Sequence, residues 1–184
     1  MDSKRKWNGK YKERLLKSEE SSPNVRLQEL SSYLIGGTAL DLACGLGGNS
    51  MFLANLGYQV EAVDISDVAI EYLQLQSEKK QLTIQPRMAD LTDWQSLGLV
   101  EESFDLILIT YYLDRSIFPL LKTVLKENGY FFMETFYLSP KNEQIVSDQF
   151  KLKPNELLEV FGSWKILYYE ENELEGRQTI FCRK

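Results

Sequence analysis

Three glycines in four positions, Gly45-Leu46-Gly47-Gly48, follow the apolar run Thr38–Ala43 and precede a helix-like stretch from Asn49 to Leu56. A glycine-rich turn between a strand and a helix lets the backbone bend sharply, approach a ligand and offer it helix N-terminal N–H groups. Asp64 stands 19 residues beyond Gly45, at the end of the next apolar run. From that place a carboxylate accepts hydrogen bonds from two ribose hydroxyls. Loop and carboxylate together predict a nucleoside-containing cofactor. A dinucleotide loop carries a third glycine where this sequence has Ser50, and Asp41 would set negative charge beside a pyrophosphate. The same charge favours an ammonium group. The loop therefore predicts S-adenosyl-L-methionine over NAD, with S-adenosyl-L-homocysteine as product.

The acceptor side is less defined. The sequence contains no histidine, which excludes Ser-His and Cys-His hydrolases, His-ligated metals and an imidazole base. Cys44 and Cys182 make no metal spacing, so no metal site is expected. A sulfonium donor is already activated, and an in-line displacement mainly needs positioning and exclusion of water. A protein base enters only if the nucleophile arrives protonated. Candidates are Tyr111, Tyr112, Asp114, Glu134 and Tyr137, near the ends of the fourth and fifth expected strands. Tyrosines there also suit pocket walls, Asp114-Arg115 suits an ion pair at a helix start, and Glu134 suits a backbone contact. The expected mechanism is proximity catalysis on a small acceptor of the thiol, amine or metalloid oxyanion class.

Positioning these groups requires alternating strands and helices. Expected strands are Thr38–Ala43, Tyr58–Asp64, Thr83–Met88, Phe104–Thr110 and Tyr130–Phe136. Trp164–Tyr169 and Gln178–Arg183 should form a terminal hairpin around the acidic turn Glu170–Gly176. Helices are expected over Pro23–Leu34, Asn49–Leu56, Asp67–Lys79 (capped by Ser66), Ser116–Lys126 and Pro154–Phe161. The fold class is α/β: a doubly wound, Rossmann-like, mostly parallel sheet of about seven strands, with helices on both faces and an antiparallel C-terminal edge. Residues 137–153 are polar, irregular and too long for an ordinary connection, hence a candidate substrate loop.

The 184 residues suit a single domain, 1–184. The formal charge of -6 argues against nucleic acid as partner, although residues 1–20 hold seven basic and four acidic residues. No secretory signal is read at the start, and no apolar run approaches the ~18 residues a membrane span needs. A cytoplasmic monomer or weak dimer is expected.

Ala39-Leu40-Asp41-Leu42-Ala43-Cys44-Gly45-Leu46-Gly47-Gly48-Asn49-Ser50 resembles motif I of class I S-adenosylmethionine-dependent methyltransferases. Val63-Asp64-Ile65-Ser66, Met88-Ala89-Asp90-Leu91 and Phe104-Asp105-Leu106-Ile107 resemble the family's second-, third- and fourth-strand motifs. Trp7-Asn8-Gly9-Lys10-Tyr11 is similar to the Trp-(Asp/Asn)-x-Arg-Tyr opening of small methyltransferases of the tellurite-resistance type, with Lys10 in place of Arg. The likeness runs from about Trp7 to Cys182. It implies that Asp41 holds the methionine ammonium, directly or through water, that the Gly45–Gly47 backbone passes under the cofactor, and that Asp64 binds the ribose hydroxyls. It places Ile65 on the adenine, Asp90 at the adenine amine between Ala89 and Leu91, and Thr110 to Tyr112 beside the methyl group. Ala43, Asn49 and Ser66 are further cofactor contacts in the same motifs. Residues 1–22 would cover the cofactor, with Tyr11 folded over it and Lys10 or Arg14 near its carboxylate. Two alternatives stay open: a non-catalytic module binding the same cofactor, and a nucleic-acid methyltransferase.

Overall fold

The computed structural model describes residues 3–19, 21–141 and 146–184. The chain falls into two compact units, Met1–Gly98 and Leu99–Lys184. The first opens with α1 (Ser3–Leu16), a 14-residue helix that was not among those expected. Its only buried residue is Tyr11, so tertiary packing rather than amphipathicity holds it. Tyr11 joins Leu46 and Ala69 in a small core, with Trp7, Leu15, Val68 and Tyr72 packed around it.

The helix expected over Pro23–Leu34 is shorter. α2 spans Val25–Glu29, capped by Asn24, whose side-chain oxygen accepts from Leu27 N at 3.1 Å. A single 3-10 turn, Ser31–Tyr33, follows. Adjacent serines favour local backbone hydrogen bonding over helix continuation. Then come β1 (Gly37–Leu42), α3 (Gly48–Asn55), β2 (Tyr58–Asp64), α4 (Asp67–Lys80) and β3 (Ile84–Met88). β1 and β2 pair in parallel with Leu42 opposite Val63, and β2 and β3 with Asp64 opposite Met88. These registers bring the turns after all three strands to one end of the sheet.

The second unit contains β4 (Phe104–Thr110), α5 (Phe118–Val124), β5 (Leu125–Phe136), α6 (Glu156–Phe161), β6 (Lys165–Asn172) and β7 (Arg177–Arg183). β4 and β5 are parallel, whereas β7 is antiparallel to both β5 and β6. The helix expected to reach Lys126 ends at Val124. Leu125 is already extended and fully buried opposite Phe104, so a buried strand start overrides the helical pattern. Asn128-Gly129 lies inside β5, where Asn128 has φ +65°. Within 137–153, Tyr137 bridges Leu152 and residues 148–150 form a 3-10 turn, while 142–145 lie outside the described residues.

The strands take the order β3-β2-β1-β4-β5-β7-β6, the expected mostly parallel seven-stranded sheet with an antiparallel hairpin at one edge. Among the described residues, no helix is long and apolar enough to cross a membrane.

Candidate active site

Asp64 ends β2 almost fully buried, and backbone groups on both sides hold its carboxylate. Oδ2 accepts from Gly45 N at 2.8 Å and Oδ1 from Ser66 N at 2.9 Å. Burial holds this carboxyl above its ordinary range, opposed by the N–H groups of Ser66 and Gly45. The glycine turn and the β2–α4 turn thus meet on one acidic side chain. Ser66 Oγ also caps α4, accepting from Ala69 N at 3.2 Å.

The turn itself needs its glycines. Gly45 and Gly47 have φ of +54° and +79°, and Ala43 beside them is also left-handed at +57°. A Cβ on Gly47 would lie 2.3 Å from Leu73 Cδ1, and one on Gly45 would lie 2.9 Å from the Tyr11 hydroxyl oxygen. Gly47 lets α4 close under the loop, whereas Gly45 leaves room above it.

Asp41 is wholly inaccessible. Ser50 Oγ donates to its Oδ2 at 2.5 Å, while Oδ1 has no hydrogen-bond partner among the described residues. Burial pushes its carboxyl up to about 7; the Ser50 hydrogen bond acts the other way and the neighbouring Asp64 charge adds to the rise. A buried carboxylate with one unused oxygen is suited to a cationic donor. Ser50, read from sequence only as a missing glycine, therefore has its own task of orienting Asp41.

A pyrophosphate would need the N–H groups at the start of α3. Gly48 N instead donates to Ser21 Oγ at 3.0 Å, and a Cβ at Gly48 would meet Ser22 O at 2.5 Å. Asn49, expected at the cofactor, turns its Oδ1 to Asn24 N at 2.8 Å. The segment 21–24 thus occupies the helix start. These residues fit an adenosyl amino acid better than a dinucleotide.

α1 lies over the β2–α4 turn. Asn8 Nδ2 donates to Asp67 Oδ1 at 2.8 Å, Ser66 Oγ donates to Asn8 Oδ1 at 2.6 Å, and Lys4 Nζ is 2.9 Å from Asp67 Oδ2. Tyr11 is buried against the glycine turn, and burial, then the Asp64 charge, raises its phenol strongly. Trp7 stacks on Tyr11 at 5.6 Å, and Lys10 Nζ lies 4.6 Å over the Trp7 ring. Arg14 pairs with Glu19 at 3.4 Å. The contacts of Asn8 escaped the sequence reading because their partners are 58 and 59 residues away. Burial and the Asp41 and Asp64 charges push the half-buried Cys44 thiol up, which disfavours the thiolate a nucleophile needs.

At the end of β3, Ala89 N donates to Asp64 O at 3.0 Å. Asp90 is exposed, and its Oδ1 caps the next turn through Thr92 N and Oγ1 at 2.9 and 2.7 Å. Ile65 is half-buried and Leu91 buried.

In the second unit, Thr110 and Glu134 are register partners at the ends of β4 and β5. Tyr111 Oη donates to Glu134 Oε1 at 2.9 Å. Tyr112 is half-buried. Asp114 accepts from Ser116 N and Oγ at 2.9 and 2.7 Å, a turn cap. It does not pair with Arg115, which makes a bidentate ion pair with Glu156 at 2.5 and 2.8 Å. Tyr137 is buried, with its phenol raised by burial. Two residues not singled out from sequence, Thr179 and Arg177, complete the Tyr111–Glu134 group. They enter from β7, which no local spacing connects to β4.

The model of a family described as tellurite resistance protein TehB matches residues 22–179. A Haemophilus influenzae protein named "Probable S-adenosyl-L-methionine-dependent methyltransferase TehB" is 30% identical over 147 residues, 76% of this chain and 50% of its own. The chain spans about half the length of the curated relatives it matches. The crystal structure of TehB from Haemophilus influenzae superposes with a TM-score of 0.76 at 24% identity, covering 93% of this chain and 65% of that one. A SAM-dependent methyltransferase from Aquifex aeolicus gives 0.65 at 15% identity, covering 86% and 89%. These two likenesses establish the fold.

Proposed function

The chain belongs to the TehB tellurite-resistance family, and from that premise we propose that it is an S-adenosyl-L-methionine-dependent methyltransferase. Its acceptor is a small molecule of the thiol, amine or metalloid oxyanion class. The observation that carries this reading is the buried Asp41 with its unused Oδ1, set beside the Gly45–Gly47 turn and the Asp64 carboxylate. S-adenosyl-L-methionine brings an ammonium for the first and ribose hydroxyls for the last.

Asp41 would hold the ammonium, directly or through a water, with Ser50 fixing its other oxygen. Asp64, kept in place by Gly45 N and Ser66 N, would accept from the ribose. Ile65, Ala89 and Leu91 would wall the adenine, and Asp90 Oδ2 would accept from its amine. Tyr11 would cover the glycine turn and exclude water, which an in-line displacement at a sulfonium requires. The cofactor supplies the activated methyl group, so this chain's work is positioning. Thr110, Tyr111 and Tyr112 follow β4, the place where ligands of this fold sit. We read the whole chain as one methyltransferase domain working as a monomer or weak dimer in the cytoplasm.

Calorimetric titration with S-adenosyl-L-methionine, S-adenosyl-L-homocysteine and NADH tests the reading. The two adenosyl ligands should bind at micromolar concentrations and NADH should not. Asp64→Ala should weaken binding about 10- to 100-fold, the worth of charge-assisted hydrogen bonds. Binding of NADH alone, or of none of the three, overturns the proposal.

A further inference from the structure

Tyr111 stands just past β4 with φ +58°, a conformation that costs a bulky L side chain free energy and persists only where the surroundings over-determine it. The surroundings do so from four directions. Its N–H donates to the Glu134 carbonyl at 2.8 Å and its Oη to Glu134 Oε1 at 2.9 Å. Its ring packs on Phe136 at 5.8 Å, and the Arg177 guanidinium carbon lies 4.3 Å over its face. Glu134 is in turn fixed: it is 1% exposed, and its Oε2 accepts from Thr179 Oγ1 at 2.8 Å.

Core packing does not explain this expense of structure, because Tyr111 itself is 45% exposed. A strained, half-exposed phenol held by a buried carboxylate is a group whose oxygen has been aimed. Its proton goes to Glu134, so toward a ligand the phenol oxygen acts as an acceptor. We propose that Glu134 is a positioning residue that holds Tyr111 so that the phenol oxygen orients an acceptor bearing an S–H or N–H hydrogen; as the acceptor–CH3 bond forms and the sulfonium C–S bond breaks, that proton leaves to solvent. This rests on the methyltransferase reading above and selects, within its acceptor class, molecules that bring a hydrogen to donate, thiols and amines being the ones probed below. Glu134 acts through Tyr111, and its hydrogen-bonding pattern matters rather than its charge.

The test separates pattern from charge. In Glu134→Gln the carboxamide oxygen can still accept from Tyr111 and its NH₂ can donate to Thr179 Oγ1, whereas Glu134→Ala removes both bonds. S-adenosyl-L-homocysteine release would be followed with dithiothreitol and with aniline as acceptor probes, and cofactor affinity by calorimetry in the same variants. Glu134→Ala and Tyr111→Phe should each lower kcat/KM for the probe at least tenfold, with cofactor affinity within about twofold of wild type. Glu134→Gln should stay within about threefold of wild type in both. Loss in Glu134→Gln as deep as in Glu134→Ala, with cofactor binding intact, would make the carboxylate a base and overturn the proposal. Unchanged turnover in Glu134→Ala overturns it too. Wild-type protein that binds the cofactor but turns over neither probe counts against the narrowed acceptor class alone, whereas failure to bind the cofactor defeats the underlying reading.

Discussion

Asp41 and Asp64 lie one strand apart, both buried, yet they are held differently, and the difference has a measurable consequence. Asp64 accepts from the Gly45 and Ser66 backbone N–H groups through both of its oxygens, whereas Asp41 is held from Ser50 alone, by hydroxyl and backbone, and keeps an idle Oδ1. With its carboxyl up to about 7 against an ordinary 3.8, Asp41 favours the neutral form in the folded chain. Its contribution to stability is therefore fully present below the unfolded value and is lost as pH rises through about 7. A cofactor ammonium reverses the preference, because it binds the ionised carboxylate. Affinity for S-adenosyl-L-methionine should thus rise from pH 6 to pH 7.5, by at most about tenfold per pH unit, before the cofactor's own amine begins to titrate near ~8. Calorimetry at pH 6.5 in two buffers of different ionisation enthalpy should register proton release on binding. Asp41→Asn should abolish that release and flatten the pH profile. The same substitution should melt higher relative to wild type at pH 8 than at pH 5. These two carboxylates were legible because a strand, turn and helix place them by local spacing. Ser50 was legible only as the absence of a glycine, since its hydroxyl contact with Asp41 appears when the helix start folds back on the strand.

Elements whose hydrophobic pattern is local were readable, and those fixed by distant contacts were not. β2, α4 and β4 agree with their expected bounds to within a residue, since each has an apolar pattern and a clear start or stop. α1 was missed because its apolar stripe is thin: Trp7, Tyr11 and Leu15, at i, i+4 and i+8, stand among basic residues and pack on Leu46 and Ala69. α5 stops early for the opposite reason: Leu125 is needed in the sheet. Two glycines in these elements should answer oppositely to the same substitution. Gly9, in the middle of α1, has nothing within 4 Å of an added Cβ, so Gly9→Ala should stabilise by roughly 0.5–1 kcal/mol through helix propensity. Gly47 combines φ +79° with a Cβ position 2.3 Å from Leu73. Gly47→Ala should destabilise by about 2 kcal/mol or more, as strain and overpacking add. Thermal melts of the two variants check the pair. A melting point lowered by Gly9→Ala would show that α1 needs a close approach at that position.

At the scale of the whole chain, the alternation of strands and helices was enough to anticipate the sheet, but the charge distribution needs its partners to be understood. Residues 1–20 hold seven of the 21 Lys and Arg residues in a chain of net -6, which taken alone suggests a polyanion-binding arm. Four of the seven have work inside the first unit. Lys4 pairs with Asp67, Lys17 with Glu13 and Arg14 with Glu19, and Lys10 covers Trp7. An arm that spends four of its seven cations on its own residues and the neighbouring turn is expected to act as a clamp with a solvated face rather than as a phosphate reader. A protein engaging six or more phosphates loses about 10³-fold or more in affinity between 50 and 200 mM salt. Here the release of S-adenosyl-L-homocysteine with an uncharged acceptor probe should change by less than about threefold over that range. Binding of a labelled RNA or DNA hairpin should be undetectable at 150 mM salt. Screening weakens all of these exposed pairs, but Lys4–Asp67 is the one that ties α1 to the β2–α4 turn, so it is the pair whose weakening should reach the site. Lys4→Ala should therefore reproduce whatever loss salt does cause and remove the remaining salt dependence. Salt sensitivity that persists in Lys4→Ala, together with tight hairpin binding, would instead assign the arm to a nucleic-acid substrate.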